Sequence, residues 1–420
     1  MTSSVVAPKK SQFFGWRVIY GCMLSYSAMA SLGWMFTMTF PQLQKEFGWT
    51  ATDLGFLLAL GSWLGILWAP ISGWICDRIG NRWTVIIFSI VAGAAVLMST
   101  MVTQLWQMYI FYPVLVQFAA QAVLMIGVLS LPRKWFLKRS ALASGLIGGF
   151  WGLVSSIIFP LVSSLATNIG WRQTIFIVVP ILTLTGVLAA FFLIRDTPEK
   201  MGLTVDGISD AEVGPFSSSM TRGKAIRTPQ FWAFAIIYGI SAADLGAVQG
   251  NITLIAVNYG IPAAAAGTAM TALMIPAIFS RIGVGSLGDR FGKKRMLWVS
   301  SAICAAFFLG GWLLVHNSIS LYIFLVLLGL VLMAGMTLIP PIWGDLFGRK
   351  HLAGIMGLGT AVGILISGLI TMVVGFIRTA TGSYNQAFLF LGAMFFIQVV
   401  LLLTLRPTKI ETANITDKRV

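Results

Sequence analysis

The sequence predicts an all-α membrane protein with twelve transmembrane helices, arranged as two six-helix bundles that are related by a parallel pseudo-two-fold repeat. The first reason is composition, since 57% of the residues are hydrophobic and only 10% are charged, which is unlike a soluble globular domain. The second is a series of twelve apolar stretches, each long enough to cross the hydrocarbon core of a bilayer as a helix. The third is a charged motif that occurs twice, once in each half of the chain.

The predicted spans follow one another with short polar connections. Their approximate limits are 17–40, 52–76, 83–103, 105–131, 140–166, 173–195, 230–258, 264–288, 296–315, 318–343, 351–377 and 385–405. The beginning of the chain also resembles a cleavable signal peptide, because Lys9 and Lys10 precede an apolar run with a small-residue triplet at 28–30. We favour a first span instead, because the apolar run continues to Phe40 and cleavage would leave an odd number of spans.

The longest polar segment, residues 196–229, is rich in charge and in turn-forming residues and has no long apolar periodicity. It predicts a cytoplasmic linker between two halves. The N-terminal six-helix bundle then occupies residues 1–195. The C-terminal bundle and a short cytoplasmic tail occupy residues 230–420.

The basic residues predict the orientation of the chain. If the N-terminus is inside, the predicted inner segments hold 24 lysines and arginines and the outer segments hold 3. This asymmetry places both termini in the cytoplasm. It also explains the formal net charge of +15 without a nucleic-acid partner. The three cysteines lie in or beside apolar runs, and His316 and His351 stand apart from other ligands, so we expect no metal site and no cofactor.

The doubled motif joins the second span of each half to the third. Its first copy comprises Gly73, Asp77, Arg78, Gly80 and Arg82, and its second comprises Gly285, Asp289, Arg290, Gly292 and Lys294. We call the shift along the chain from Asp77 to Asp289 the repeat offset. In each copy the first glycine allows close helix contact and the second allows a tight turn. The carboxylate suits a neighbouring helix N-terminus or a basic loop residue. We interpret the motif as a latch on the inner gate; the alternative is a charged turn that only sets topology.

The motif, the twelve spans and the central linker together resemble the major facilitator superfamily over nearly the whole chain. The phrases "FFGWRV", "KWFLKRSALASGLIGG" and "DLFGRKHLAGIMGLGTAVG" are similar to the bacterial monocarboxylate porter and oxalate/formate antiporter branches. This resemblance implies a secondary transporter whose bundles rock about a central cavity. In animal monocarboxylate porters an Asp precedes the eighth-span Arg by one helical turn, and Ala277 stands there in this chain. Coupling through that Asp is therefore not carried over.

Two ionisable residues lie well within predicted spans, Asp244 in the seventh and Arg281 in the eighth. Such residues are costly in a membrane and usually mark substrate or ion pathways. The planar guanidinium of Arg281 suits a carboxylate, so we expect Arg281 to anchor an anionic substrate. Asp244 is the candidate proton carrier. The alternative is a structural Asp244–Arg281 ion pair.

Weaker candidates follow helical spacing. Ser241, Asp244, Asn251 and Asn258 would share one face of the seventh span, and Gln117 and Gln121 one face of the fourth. The full set of substrate-binding candidates is Arg281, Gln117, Gln121, Tyr112, Asn251 and Tyr26. Gln117, Gln121 and Asn251 could equally form hydrogen bonds between helices. An aromatic residue such as Tyr26 is more often a packing or interface residue than a ligand.

The expected function is transport of a small organic anion, most simply a monocarboxylate, with proton symport. One fixed positive charge matches one carboxylate. The expected partners are this substrate, a proton and the lipid bilayer, and the protein is expected to be a monomer in the bacterial inner membrane. Anion exchange without proton coupling and a solute sensor on a transporter fold are the alternatives. An enzyme is not expected, because the chain has no phosphate-binding loop, no HExxH and no triad-like grouping.

Overall fold

The computed structural model describes residues 13–49, 51–205, 220–252, 255–256, 259–261, 267–348 and 350–405, and every regular element in these ranges is helical. Twelve helices match the twelve predicted spans. They are α1 Gly15–Met38, α2 Ala51–Ile79, α3 Asn81–Met98, α4 Leu105–Trp135, α5 Ser140–Asn168, α6 Trp171–Leu193, α7 Pro229–Ala247, α8 Gly267–Phe291, α9 Lys293–Leu314, α10 Ser318–Phe347, α11 Leu352–Thr381 and α12 Asn385–Thr404.

Nine of these helices, counted over the described residues, have the length and apolar composition that a membrane crossing requires. The other three, α1, α7 and α9, coincide with the remaining predicted spans. The prediction of an all-helical protein with many membrane spans is therefore confirmed. Shorter helices at Phe40–Phe47 and Arg222–Ile226 lie in the connections. The predicted linker falls partly outside the described residues, at 206–219, as does the predicted tail at 406–420.

Each half has its own hydrophobic core. The first core lies within residues 18–194, where α1 packs on α5 and α6 and α3 packs on α6. The second lies within residues 240–395, where α9 packs on α12 and α8 packs on α10. The halves meet along two helix pairs, α2 with α11 and α5 with α8. Adding the repeat offset to the residue numbers of α2 gives those of α8, and adding it to those of α5 gives those of α11. The α2–α11 contact and the α5–α8 contact are therefore equivalent in the two halves.

Helix α4 departs from regular α-helix in two places, at Ile110–Val116 and at Gln121–Val128, where its turns are π-helical. Side chains of neighbouring helices reach backbone oxygens there. The indole of Trp68 donates to the carbonyl of Pro113 at 3.3 Å, and the amide of Asn81 donates to the carbonyl of Gly127 at 2.6 Å. Lys134 donates in turn to the oxygen of that Asn81 amide at 2.6 Å. Wide turns of this kind often accompany functional sites, and the hydropathy pattern carries no signal for them.

The seventh predicted span is not one continuous helix. Helix α7 ends at Ala247, and a 3-10 turn at Gln249–Asn251 follows it. Ser241 and Asp244 lie on one face of α7, as expected. The expectation is wrong for Asn251, because the α-helical period does not continue through the tighter turn. Asn258, the fourth member of that predicted face, lies outside the described residues.

Candidate functional site

The motif carboxylate of the second half lies at the start of a helix of the first half. Asp289, near the end of α8, accepts a hydrogen bond from the backbone N–H of Ala141 at 3.0 Å and another from that of Leu142 at 2.7 Å. These N–H groups belong to the first turn of α5, which begins at Ser140. They have no partner within their own helix, and a negative charge is favoured at this end of the helix dipole.

The motif carboxylate of the first half occupies the equivalent place. Asp77 accepts from the backbone N–H of Gly354 at 3.0 Å, in the first turn of α11. The repeat offset relates Leu142 to Gly354, so both halves make the same contact. Asp77 also receives Arg222 of the linker region, through Nη2 at 2.6 Å and Nε at 3.1 Å. Both carboxylates thus meet a helix N-terminus of the opposite half, the first of the two partners that the sequence suggested.

The first glycine of each motif copy allows this close approach. A Cβ on Gly73 would lie 2.6 Å from the carbonyl oxygen of Ala353, and a Cβ on Gly285 would lie 2.6 Å from that of Ala141. Any other residue at either position would push the two halves apart at this end. Small residues serve the same purpose wherever membrane helices pack backbone to backbone.

The second glycine of each copy has a backbone conformation that other residues rarely adopt. The φ angle of Gly80 is 87° and that of Gly292 is 97°. In the first half a further group fills the space beside the turn. Asp196 accepts from the backbone N–H of Arg82 at 3.0 Å and from Lys200 at 3.0 Å. A Cβ on Gly80 would lie 2.6 Å from the Asp196 carboxylate.

The electrostatics of Asp196 follow from these contacts. Burial raises the pKa of its carboxyl group, but the hydrogen bonds from Arg82 and Lys200 and the positive charges of Lys200 and Lys134 together lower that pKa by more, so the net shift is downward. Asp196 is a site residue that sequence reasoning missed. It is the first residue of the predicted linker, immediately after the sixth span. An acidic residue at that inner boundary was the signal that could have found it.

The basic residues of the motif lie against aromatic rings and a carbonyl. The guanidinium carbon of Arg78 is 3.9 Å from the ring centre of Trp74, and that of Arg82 is 4.7 Å from that of Phe191. Arg290 lies over the neighbouring Phe291 at 5.3 Å, and the ammonium group of Lys294 donates to the carbonyl of Leu405.

A further contact between the halves lies beside the motif. Asp345 of α10 pairs with Arg133 of α4 at 2.5 Å and with Lys293 of α9 at 2.9 Å. A cavity of about 500 Å³ borders the Lys293–Asp345 pair, with Lys138 and Asp289 also among its lining residues. This cavity belongs to the end of the molecule that carries the motif, and Arg281 does not line it.

Arg281 lies between the two halves. It stands eight residues before Asp289, about 12 Å along α8. Its Nη2 atom is 3.2 Å from the sulfur of Met333 on α10, and its guanidinium carbon is 5.8 Å from the ring centre of Trp151 on α5. A Cβ on Gly148 would lie 2.5 Å from Nη1. The absence of a side chain at Gly148 therefore makes room for the guanidinium, and Arg281 as a whole residue is only partly buried.

The repeat shows that this cation has no counterpart in the other half. The repeat offset relates Arg281 to Ala69. The backbone of Arg281 packs closely on Gly145, and the backbone of Ala69 packs in the same way on Gly357, which is the repeat partner of Gly145. The backbone contact is therefore duplicated, whereas the positive charge is supplied by one half alone.

Asp244 lies in the last turn of α7 and is 2% exposed. Its Oδ2 atom accepts a hydrogen bond from the amide of Gln249 at 2.9 Å. The ion pairs found among the described residues do not include Asp244 with Arg281, although the two groups are near enough to interact electrostatically. The alternative of a direct structural pair is therefore not seen in these residues.

Tyr26 of α1 belongs to the surroundings of Arg281. It is 8% exposed and meets the ring of Trp151 edge-on, with ring centres 6.4 Å apart. Its repeat partner is Tyr238 of α7. Tyr238 packs closely on Gly363, where a Cβ would lie 2.1 Å from its ring. Sequence reasoning missed Tyr238 and Trp151, and the repeat offset from Tyr26 was the signal that could have found the former.

The remaining substrate-binding candidates contact residues of their own half. The hydroxyl of Tyr112 donates to the carbonyl of Gly33 at 3.2 Å, and the side chain of Gln117 packs where a Cβ on Gly61 would lie, 2.8 Å away. The amide of Asn251 donates to the carbonyl of Ala247 at 3.4 Å. The amide nitrogen of Gln121 is buried and finds no hydrogen-bond partner among the described residues. Their role as ligands stays a prediction.

Comparison with known proteins identifies the family. The profile described as Major Facilitator Superfamily matches residues 22–243 and again residues 234–419. Monocarboxylate transporter 12 of Xenopus laevis is 23% identical over 412 residues, covering 92% of this chain and 88% of that protein. A probable nitrate/nitrite antiporter, NarK1 of Thermus thermophilus, is 26% identical over 306 residues, covering 69% of this chain and 65% of that protein.

Solved structures share the fold. The fucose:proton symporter FucP of E. coli superposes with a TM-score of 0.69 at 14% identity, covering 92% of this chain and 98% of that chain. A second FucP structure, described as being in the outward conformation, gives a TM-score of 0.67 at 16% identity. The two matched segments correspond to the two halves whose interface holds Arg281 and the motif carboxylates. The chain is therefore a membrane transport protein that belongs to the Major Facilitator Superfamily.

Proposed function

We propose that this transporter moves a small organic anion, a monocarboxylate, by alternating access and together with a proton. The observation that carries the proposal is the position of Arg281. It is a cation between the two halves, the residue is only partly buried, and its guanidinium contacts a sulfur atom and an aromatic ring. Neither contact neutralises its charge, whereas a carboxylate would.

The site offers a single positive charge, that of Arg281, and this favours a substrate with one carboxylate. Arg281 has no counterpart in the other half, because Ala69 occupies the equivalent position. Tyr26, Trp151 and Met333 surround the site with aromatic and apolar surface, which suits a short apolar substituent on the acid. The relatives named as monocarboxylate transporters support the same substrate class at low identity.

Asp244 is the group that we assign to the proton. Its carboxyl group is almost fully buried and interacts electrostatically with Arg281. An anion at Arg281 would weaken that interaction and favour proton uptake by Asp244, so that substrate and proton move together. The amide of Gln249 holds Oδ2 in the state described here.

The inner gate in this proposal comprises the two motif carboxylates and the helix N-termini that they meet. With lysines and arginines on the inner side, this end of the molecule faces the cytoplasm of a bacterial cell and both termini lie there. The two contacts are copies of each other, so they form and break together as the halves rock. Such a bistable contact is what alternating access requires.

Uptake by proteoliposomes tests the proposal. Purified protein is reconstituted and the accumulation of labelled short monocarboxylates is followed with and without an inward proton gradient. We expect accumulation in the wild type and its loss in Arg281→Gln, while Arg378→Gln, the same change at an exposed outer-end arginine, retains it. If no organic acid is taken up or exchanged by the wild type, the substrate class is wrong.

Asp244→Asn separates symport from exchange. We expect this variant to lose accumulation driven by the proton gradient and to retain exchange between labelled and unlabelled substrate. If its gradient-driven uptake equals that of the wild type, Asp244 is not the proton carrier. If the wild type exchanges substrate but ignores the gradient, the protein is an anion exchanger.

A further inference from the structure

A buried hydrogen-bond donor that no described residue engages lies next to Arg281. The indole nitrogen of Trp151 is buried and has no hydrogen-bond partner among the described residues. A buried N–H without an acceptor is unfavourable, and buried tryptophans usually find one. Its ring centre is 5.8 Å from the guanidinium carbon of Arg281.

Among the described residues, Arg281 also has no strong acceptor. The contact at 3.2 Å from its Nη2 atom is the thioether sulfur of Met333, which is a weak acceptor and carries no charge. The same small volume therefore contains a guanidinium fork and an indole N–H, which both need an oxygen acceptor. A carboxylate that accepts hydrogen bonds of ordinary length on both of its oxygens bridges donors up to roughly 8 Å apart.

We propose that the indole N–H of Trp151 is the second hydrogen-bond donor to the carboxylate that Arg281 binds, so that the substrate anion bridges the two halves of the transporter. This inference rests on the proposed function. Trp151 belongs to α5 of the first half and Arg281 to α8 of the second, and these helices pack along each other. A bound carboxylate then links the two halves at mid-membrane. The indole N–H of Trp151 positions this carboxylate, while the ring of Trp151 lies over the guanidinium of Arg281.

The repeat supports a single site of this kind. The repeat partner of Trp151 is Gly363, and the repeat partner of Arg281 is Ala69. Gly363 packs closely on Tyr238, so no ring equivalent to Trp151 fits there. The pair of donors therefore occurs once, on one side of the pseudo-two-fold axis, and it suits one carboxylate.

The test separates the N–H from the ring. Trp151→Phe keeps an aromatic surface against Arg281 and Tyr26 but removes the donor. The probe is whichever of acetate, propionate, lactate and pyruvate the wild-type protein binds most tightly, and its Kd is measured by calorimetry on purified protein. We expect Trp151→Phe to weaken binding about tenfold or more, as for the loss of a hydrogen bond to a charged group. Trp106→Phe, the same change at an exposed tryptophan, leaves the Kd unchanged.

A second variant guards against a packing defect. Benzothienylalanine at position 151 keeps the bicyclic ring and has sulfur in place of the N–H, and it should weaken binding as Trp151→Phe does. Wild-type affinity in both variants, together with loss of binding in Arg281→Gln, overturns the role of Trp151 and leaves the proposed function standing. Weak binding in Trp151→Phe with wild-type affinity in the benzothienylalanine protein also overturns it, since the ring alone then matters. If no acid binds the wild type, the proposed function itself fails.

Discussion

Arg133 and Asp345 form an ion pair at 2.5 Å, although they belong to different halves and are repeat partners of each other. Residues at equivalent positions of two repeats can touch only near the axis that relates the repeats. This pair therefore marks the pseudo-two-fold axis at the motif end of the molecule. One half supplies the cation there and the other half supplies the carboxylate, so the pair connects the halves where the gate is proposed.

Breaking this pair should open the motif end. Asp345→Asn removes the charge that Arg133 and Lys293 share, and Arg133 is left largely buried without a counter-ion. We expect the population with separated halves to increase. Nitroxide labels at Phe192 on α6 and Phe291 on α8, exposed positions on different halves, report the distance between the halves by pulsed electron resonance in a background without the three buried cysteines. An unchanged distance distribution would contradict a role in the gate.

Gly285→Ala should prevent the same end from closing. The added Cβ would lie 2.6 Å from the carbonyl oxygen of Ala141, a backbone atom that cannot move aside alone. We expect the closed state to be disfavoured by roughly tenfold, as overpacking of a tight contact would do. Gly283→Ala is the matched control on α8, because a Cβ there meets nothing within 4 Å. Equal transport rates for the two variants would show that the close approach is not needed.

Gly148→Ala should displace the Arg281 guanidinium without removing its charge. The new Cβ would lie 2.5 Å from Nη1, the mobile end of a flexible side chain, so the protein should fold normally. We expect a higher KM for the carboxylate and a nearly unchanged thermal midpoint. Gly33→Ala serves as control, since it adds a methyl group in open space. The proposal is contradicted if Gly148→Ala transports with the wild-type KM.

Asp196 should make stability depend on pH. Its folded pKa lies below that of the unfolded chain, which is about 3.9. Its contribution is therefore complete above the unfolded pKa and is lost as the pH falls through the folded pKa. Asp196→Asn keeps an acceptor oxygen but removes the negative charge beside the N-terminus of α3, and it should lower stability by about 0.5 kcal/mol at pH 7. The Tm difference between wild type and variant, measured from pH 7 to pH 3, should shrink at the acid end; a constant difference would exclude the carboxylate charge as its cause.

Several features of the site were within reach of the sequence. Hydropathy identifies each span, because a helix in lipid must be apolar along its whole length, and the basic residues predict which ends face inward. The repeated motif shows from the sequence alone that Asp77 and Asp289 are equivalent positions. The expectation that these carboxylates meet helix N-termini agrees with the contacts at Gly354 and Leu142.

Sequence by itself therefore determined the helices, the repeat, the two intramembrane charges and the family resemblance, because each is a local or periodic pattern along one chain. The tertiary structure decided what those residues meet. The break after Ala247, the π-helical turns of α4, the Arg133–Asp345 pair and the placement of Trp151 beside Arg281 all depend on contacts between distant segments. Periodicity along a chain does not encode such contacts, because they arise from how two halves pack against each other.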